Sequence, residues 1–135
     1  PERAIEADSS AWIREGMGQR FAGLGPFAPE AMAEYERCLA IPGSATAVCE
    51  DYRASATIDL EHDRADRSAG KRVEMPLRVL WGAQGVVGRC FDPMALWRDV
   101  ATQVSGCVLD CGHYIAEEQP AALLEEIHQF FGDTA

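Results

Sequence analysis

The sequence has few basic residues and no long apolar run, and both absences exclude classes of partner. It holds 12 lysines and arginines against 22 aspartates and glutamates, for a net charge of -10. A chain of this charge without a clustered basic stripe repels the phosphate backbone, so we expect no nucleic-acid partner. No apolar run approaches the ~18 residues of a membrane span. Pro1-Glu2-Arg3 leads into polar sequence, unlike a signal peptide, so we expect no membrane partner.

Paired cysteine motifs are also missing. The five cysteines are odd in number and include no Cys-x-x-Cys pair, which argues against a disulfide framework and a zinc ribbon. Cys38, Cys49 and Cys107 stand beside apolar residues, where a small buried side chain would fit. We therefore predict reduced core thiols and a cytoplasmic location.

Neither a phosphate-binding loop nor a nucleophile motif is present. The pairs Gly16/Gly18 and Gly23/Gly25 do not follow a strand pattern, so we interpret them as an irregular, mobile stretch rather than a dinucleotide loop. No Gly-x-Ser-x-Gly or Gly-x-Asp-x-Gly turn occurs in the sequence. The sequence thus indicates no cofactor and no nucleophile of its own.

The chain is short for an α/β enzyme. Its 135 residues suffice for one small core, whereas a sheet with a helical cap usually takes roughly twice that length. It also begins with Pro1 rather than methionine. We therefore expect it to be a piece of a longer protein.

Residues 1-70 have helical patterns without a strand between them. Pro29 opens one helix, which Ile41-Pro42-Gly43 stops, and Ser44 is predicted to cap the next. The apolar stripe of that second helix comprises Ala45, Val48, Cys49, Tyr52 and Ala56. Dense charge from Asp59 to Arg67 then leads to a boundary at Ser68-Ala69-Gly70.

Residues 71-135 have strand and helix patterns in alternation. Two β-rich runs, Leu77-Trp81 and Cys107-Leu109, are separated by a helix that Asp92 can cap, with Leu96, Val100 and Val104 on its inner face. This order predicts a βαβ unit with parallel strands, followed by a last helix from near Pro120. The fold class is therefore α/β. Because two strands make no stable sheet alone, the rest of the sheet is expected elsewhere.

His113 is the strongest candidate for chemistry. It follows a strand's carboxyl end within Asp110-Cys111-Gly112-His113-Tyr114, where open α/β sheets place their ligands. An imidazole there can accept a proton from water at neutral pH. The alternative is a loop histidine that only hydrogen-bonds its own turn. His128 is expected to face solvent, and His62 lies in a charged run that is more often solvated than metal-binding.

Tyr52 has two interpretations on its position alone. A tyrosine on an apolar helical stripe is usually part of the core, but its hydroxyl needs a partner when it is buried. An anion in a cleft is one such partner.

Four blocks resemble the haloacetate (fluoroacetate) dehalogenases of the α/β-hydrolase fold. Two are weakly specific: Leu80-Trp81-Gly82-Ala83, and Cys111-Gly112-His113-Tyr114 followed by Glu117-Glu118 and Pro120. Cys49-Glu50-Asp51-Tyr52-Arg53-Ala54 and Ile58-Asp59-Leu60-Glu61-His62-Asp63 are more discriminating. The resemblance corresponds only to the carboxyl-terminal half of such an enzyme. It implies a partial helical cap over 1-70 and the end of the hydrolase core over 71-135.

The resemblance also implies a mechanism. An aspartate displaces halide from a small halogenated carboxylic acid, and water activated by a histidine hydrolyses the ester, with no cofactor or metal. His113 is similar to that base and Tyr52 to the cap tyrosine that holds the leaving halide ion. The nucleophile is expected outside this chain, so the chain alone is predicted to be inactive. The full-length protein could form a homodimer.

Two positions depart from common patterns of the fold. Gly85 stands where many α/β-hydrolases carry the acid that orients the histidine, but dehalogenases of this type resemble the chain in lacking it there. Relatives often have a cap tryptophan where this chain has Phe21 or no counterpart. Two alternatives stay open: an epoxide hydrolase or esterase of the same fold, and a non-catalytic piece that acts by association.

Overall fold

The computed structural model describes residues 1-132, which form two compact units. The first contains Pro1-Gln19 and Gly23-Gly70, and the second contains Arg20-Ala22 and the chain from Lys71 onward. The first unit is built from the helices α1 (Glu2-Ala7), α2 (Ser9-Gly18), α3 (Pro29-Leu39), α4 (Ser44-Ala56) and α5 (Ile58-Ser68). Within the described residues, no helix is long and apolar enough to cross a membrane.

A small apolar cluster holds the helices of the first unit together. Ile5 of α1, Leu39 of α3, and Ala45 and Cys49 of α4 are buried against one another. Asp8 begins α2 by accepting a hydrogen bond from the amide of Ala11 at 2.8 Å, which satisfies a donor that the helix leaves unpaired. In contrast, α5 has no buried residue, as its charged sequence predicts.

The second unit contains the predicted βαβ arrangement. Strand β1 (Leu77-Gly82) pairs in parallel with β2 (Val104-Leu109), in a register that joins Leu77 to Val104 and Gly82 to Leu109. Helices α6 (Val86-Cys90) and α7 (Pro93-Val100) lie between the strands in the chain. Helices α8 (Ile115-Glu118) and α9 (Pro120-Gly132) follow β2. Asp92 caps α7 through the amide of Ala95, at 3.0 Å, as predicted.

The structure corrects two details of helix and strand placement. Gly43, with φ of 92°, turns the chain ahead of α4, so Ser44 already lies in the helix. The Ser44 hydroxyl donates instead to the carbonyl of Cys38 at 2.9 Å. Val104 does not line α7, because that helix ends at Val100 and the extended Ala101 leads into β2.

Burial and glycine placement also differ from the sequence expectations. The stripe of α4 stops short of Tyr52, which is 72% exposed. All five cysteines are free thiols. Of the three that the sequence predicts to be buried, Cys49 is buried, Cys107 is half-buried and Cys38 is exposed. Gly16 and Gly18 lie inside α2, not in an irregular stretch. Helix propensity and the apolar character of sequence neighbours do not predict which of these side chains are exposed, because tertiary packing decides which face of a helix is covered.

A charged contact attaches α9 to the sheet. The Arg78 guanidinium on β1 donates to Glu126 of α9, with Nε 2.8 Å from Oε2. The Cys107 thiol on β2 donates to the other oxygen of Glu126 at 3.2 Å. Both side chains of the ion pair are largely covered, so water screens them less than a surface pair. The Arg78 guanidinium lowers the pKa of Glu126 below its ordinary value.

This contact makes a pH-dependent contribution to stability. We expect Glu126→Gln to lower the free energy of unfolding at pH 7 by about 1 to 2 kcal/mol, since it weakens hydrogen bonds to a charged group. Because the pKa of Glu126 is lowered in the folded state, its contribution is complete above the unfolded pKa of about 4.3. It is lost as the pH falls through the folded pKa. Urea unfolding of both proteins between pH 7 and 3 measures the difference.

The exposed neighbour Glu125 supplies the control. Glu125→Gln should leave the unfolding free energy within about 0.5 kcal/mol of wild type. If the difference in unfolding free energy between wild type and Glu126→Gln stays constant from pH 7 to 3, the assigned charge interaction is contradicted.

Candidate active site

The candidate site lies where β1 and β2 end. Gly82 and Leu109 are register partners at the carboxyl ends of the parallel strands. The loop Ala83-Gly85 follows the first strand and the loop Asp110-His113 follows the second. Parallel strands place their carboxyl ends at one edge of the sheet, which is where such sheets bind ligands.

Backbone hydrogen bonds lock the two loops together. The amide of Ala83 donates to the carbonyl of Leu109 at 2.9 Å, and the amide of Gln84 donates to the carbonyl of Cys111 at 2.9 Å. A Cβ atom on Gly82 would lie 1.8 Å from the carbonyl oxygen of Gly112. Only glycine permits this backbone approach, so the contact fixes the loop that carries His113.

Glu118 contacts the His113 loop on both sides of the histidine. One carboxylate oxygen accepts the amide of Gly112 at 2.6 Å, and the other accepts the amide of Tyr114 at 3.0 Å. Sequence reasoning included Glu118 only as part of a resembling block and gave it no role. The sequence feature that could have identified Glu118 is a carboxylate a few residues after the histidine, close enough to accept hydrogen bonds from the loop amides.

The His113 side chain is exposed, while Cys111 and Gly112 just before it are buried. The Tyr114 ring stands edge-on to the imidazole, with centroids 4.9 Å apart and planes at 79°. A covered loop backbone with an exposed ring can present a general base to a reactant.

Neither Cys111 beside the site nor Cys107 within β2 is suited to act as a nucleophile. Burial raises the pKa of Cys111, and the charges of Glu118 and Asp110 raise it further. Burial is also the main cause of the raised pKa of Cys107, with Glu126 adding to it. Thiols with raised pKa values stay protonated at neutral pH, and the thiol is a poor nucleophile.

Gly85 lies against the same loop. A Cβ atom on it would be 3.2 Å from the carbonyl oxygens of both Gly112 and Gly82. A side chain at this position would therefore start next to the histidine loop. Phe21 also packs there, since a Cβ atom on Gly112 would meet the Phe21 Cβ at 2.8 Å.

The remaining candidates lie elsewhere. Tyr52 is an exposed residue of α4 in the first unit, whereas His113 belongs to the second. His128 is exposed on α9, in agreement with the expected solvent-facing position. His62 is exposed on α5. Over residues 1-132, no group of three or more histidine, cysteine, aspartate or glutamate side chains could hold a metal ion.

The chain is similar to curated hydrolases over much of its length. It is 30% identical to a fluoroacetate dehalogenase from Burkholderia sp over 98% of its residues, which is 43% of that protein. It is 31% identical to a soluble epoxide hydrolase from Corynebacterium sp. strain C12 over 78% of its residues, or 35% of that protein. The chain thus spans less than half the length of these relatives. No family model matches it.

Solved structures share its fold. A protein from Nostoc sp PCC 7120, provisionally named an α/β hydrolase, is 43% identical with a TM-score of 0.85, and the match covers 97% of this chain and 44% of that one. A protein from Salmonella enterica, provisionally named an acyltransferase, is 38% identical with a TM-score of 0.89, covering 100% and 44%. The differing names show that the shared fold does not by itself identify one reaction.

The approach of Gly82 to Gly112 yields a stability test. We expect Gly82→Ala to lower the free energy of unfolding by at least about 3 kcal/mol, because the added methyl group overlaps a backbone carbonyl that cannot rotate away. In contrast, Gly16→Ala in α2 adds a Cβ atom that meets nothing within 4 Å. That variant should be about 0.5 to 1 kcal/mol more stable than wild type.

Urea unfolding of the two alanine variants provides the measurement. A Gly82→Ala protein that unfolds within about 0.5 kcal/mol of wild type would show that the loops are not packed this closely.

Proposed function

We propose that this chain, which has the fold of α/β-hydrolases and spans less than half the length of its relatives, carries the histidine base of a haloacetate dehalogenase. The observation that carries the proposal is the exposed imidazole of His113 on a covered, hydrogen-bonded loop at the carboxyl edge of parallel strands. The similarity to fluoroacetate dehalogenase supports this choice of reaction. The substrate is a small halogenated carboxylic acid.

The proposed reaction has two steps. An aspartate outside this chain attacks the carbon that bears the halogen, so that a carbon-oxygen bond forms as the carbon-halogen bond breaks and halide departs. Water then attacks the carbonyl of the resulting ester while His113 accepts a proton from it. The ester bond breaks as His113 returns the proton to the departing alkoxide oxygen, which releases the hydroxy acid. The freed aspartic acid then loses its proton to water, so the aspartate is restored. His113 thus acts only in the second step.

Tyr52 is proposed to bind the departing halide. Its phenol can donate a hydrogen bond to charge that develops on the leaving ion. The side chain is 72% exposed, so its hydroxyl is accessible to a ligand from solvent. The chemistry needs water and a proton acceptor, and we propose no cofactor.

An epoxide hydrolase is the second candidate, favoured by the 31% identical relative of that name. The same ester hydrolysis by His113 would serve it, while the Tyr52 phenol would donate to the epoxide oxygen instead of halide. Fluoroacetate, chloroacetate and a styrene-type epoxide, supplied to one preparation, separate the two activities.

The test of His113 uses the protein expressed from its complete coding sequence, with the 135-residue chain as an inactive baseline. We expect His113→Ala to release about one halide per protein and then stop, because the ester forms but is not hydrolysed. Steady-state turnover should fall by about 100-fold or more. Rapid-quench halide measurement and intact-mass detection of the ester provide the readouts.

His128→Ala is the matched control, since it removes an exposed histidine from α9. It should retain wild-type turnover. Wild-type turnover in His113→Ala, with no ester detected, would refute the assignment of His113 as base.

Tyr52→Phe tests the halide site by removing only the hydroxyl. We expect the first halide to be released about 10-fold more slowly, because a hydrogen bond to a charged leaving group is lost. Stability should not change, since the side chain is exposed. Tyr35→Phe in α3 is the control and should react at the wild-type rate. Unchanged dehalogenation with lost epoxide opening would instead favour the second candidate.

A further inference from the structure

We propose that Glu118 is a positioning residue that sets the direction of the His113 imidazole through the backbone on both sides of it. The proposal rests on the function proposed above for His113. The Glu118 carboxylate does not contact the reacting atoms. It accepts the backbone amides of the residues before and after the histidine, Gly112 and Tyr114.

The hydrogen bonds lie on both sides of His113 in the chain. Gly112 donates its amide to Oε2 at 2.6 Å and Tyr114 donates its amide to Oε1 at 3.0 Å. Hydrogen bonds to an ionised acceptor are shorter and stronger than neutral ones. The carboxylate thereby holds the peptide plane after residue 113 and the plane before Gly112. The plane between them carries the Gly112 carbonyl, which packs against Gly82. Together these planes determine where the Cβ atom of residue 113 points.

The loop itself anchors Glu118 in return. The backbone amide of Glu118 donates to the carbonyl of Tyr114 at 2.8 Å, while the Tyr114 amide donates to the Glu118 side chain. The Gln119 side chain also donates to the carbonyl of Asp110, at 3.1 Å, on the far side of the loop. These reciprocal bonds resemble a capping box and tie α8 to the histidine loop at several points.

Crowding at Gly112 prevents the loop from adjusting. A Cβ atom there would lie 3.0 Å and 3.1 Å from the Glu118 carboxylate oxygens and 2.8 Å from the Phe21 Cβ. With one side of Gly112 packed on the carboxylate and its carbonyl pressed against Gly82, loss of the carboxylate leaves a gap on one side only. The loop is then free to move toward that gap and carry His113 with it.

A carboxylate is required because two separate oxygens accept. The glutamine side chain has one acceptor oxygen and one amide NH2 group, so Glu118→Gln would place a donor against one of the two backbone amides. An isosteric substitution should therefore fail almost as fully as Glu118→Ala. A small displacement of a catalytic group can cost about 100-fold in rate.

The experiment uses the protein from its complete coding sequence with Glu118→Gln and Glu118→Ala, and Glu125→Gln as the exposed control. We expect both Glu118 variants to release the first halide at the wild-type rate and amplitude. Their ester hydrolysis should slow by about 10- to 100-fold, while kcat/KM stays near wild type because the first step is unchanged. Glu125→Gln should match wild type in both steps.

Two outcomes would overturn the proposal. Wild-type ester hydrolysis in Glu118→Gln shows that the carboxylate does not position the base. A parallel loss of burst amplitude and turnover, in proportion to the unfolded fraction, shows a purely structural role.

Hydrogen exchange at the Gly112 and Tyr114 amides separates this proposal from the function on which it rests. Exchange should accelerate in both Glu118 variants irrespective of activity, because their acceptors are removed. Unchanged exchange would refute the two hydrogen bonds. Faster exchange together with wild-type turnover in His113→Ala would instead refute the assigned function and leave the backbone contacts standing.

Discussion

The carbonyl oxygen of Gly112 lies where a side chain on residue 82 would begin, and the geometry around His113 depends on that close backbone contact. The parallel register brings Gly82 opposite Leu109, so the loops that follow must leave the sheet side by side. Amide hydrogen bonds between the loops then fix their spacing. His113 is consequently held by main-chain packing, while its own side chain stays exposed.

Two carboxylates from the final helices then secure the parts of the second unit. Glu118 of α8 accepts backbone amides of the histidine loop, and Glu126 of α9 accepts the Arg78 guanidinium and the Cys107 thiol. Covered carboxylates are costly unless their lone pairs are satisfied, and both oxygens of each accept a hydrogen bond here. Because each oxygen accepts a hydrogen bond, this acidic chain can hold two negative carboxylates close to its sheet.

Much of the fold follows from local patterns. Pro29, Asp92 and Pro120 mark helix starts that the structure contains, and Trp81-Gly82 marks the end of β1. Such signals are readable because caps and fixed proline angles act within a few residues. Ser44 and Val104 differ from the local pattern, because a left-handed glycine precedes Ser44 and a strand partner distant in sequence pairs with Val104. The exposure of Tyr52 depended on packing of whole helices.

The sequence by itself determined the α/β class, the resemblance to hydrolases and the position of His113 after a strand. These depend on hydrophobic periodicity, turn residues and motif order, which are properties of neighbouring residues. Only the tertiary structure decided that Gly82 presses on Gly112, that Gly85 borders the histidine loop and that Glu118 spans both sides of His113. Such contacts depend on strand register and on the direction that a helix takes after a turn. The spacing of side chains along the chain does not by itself determine these two properties.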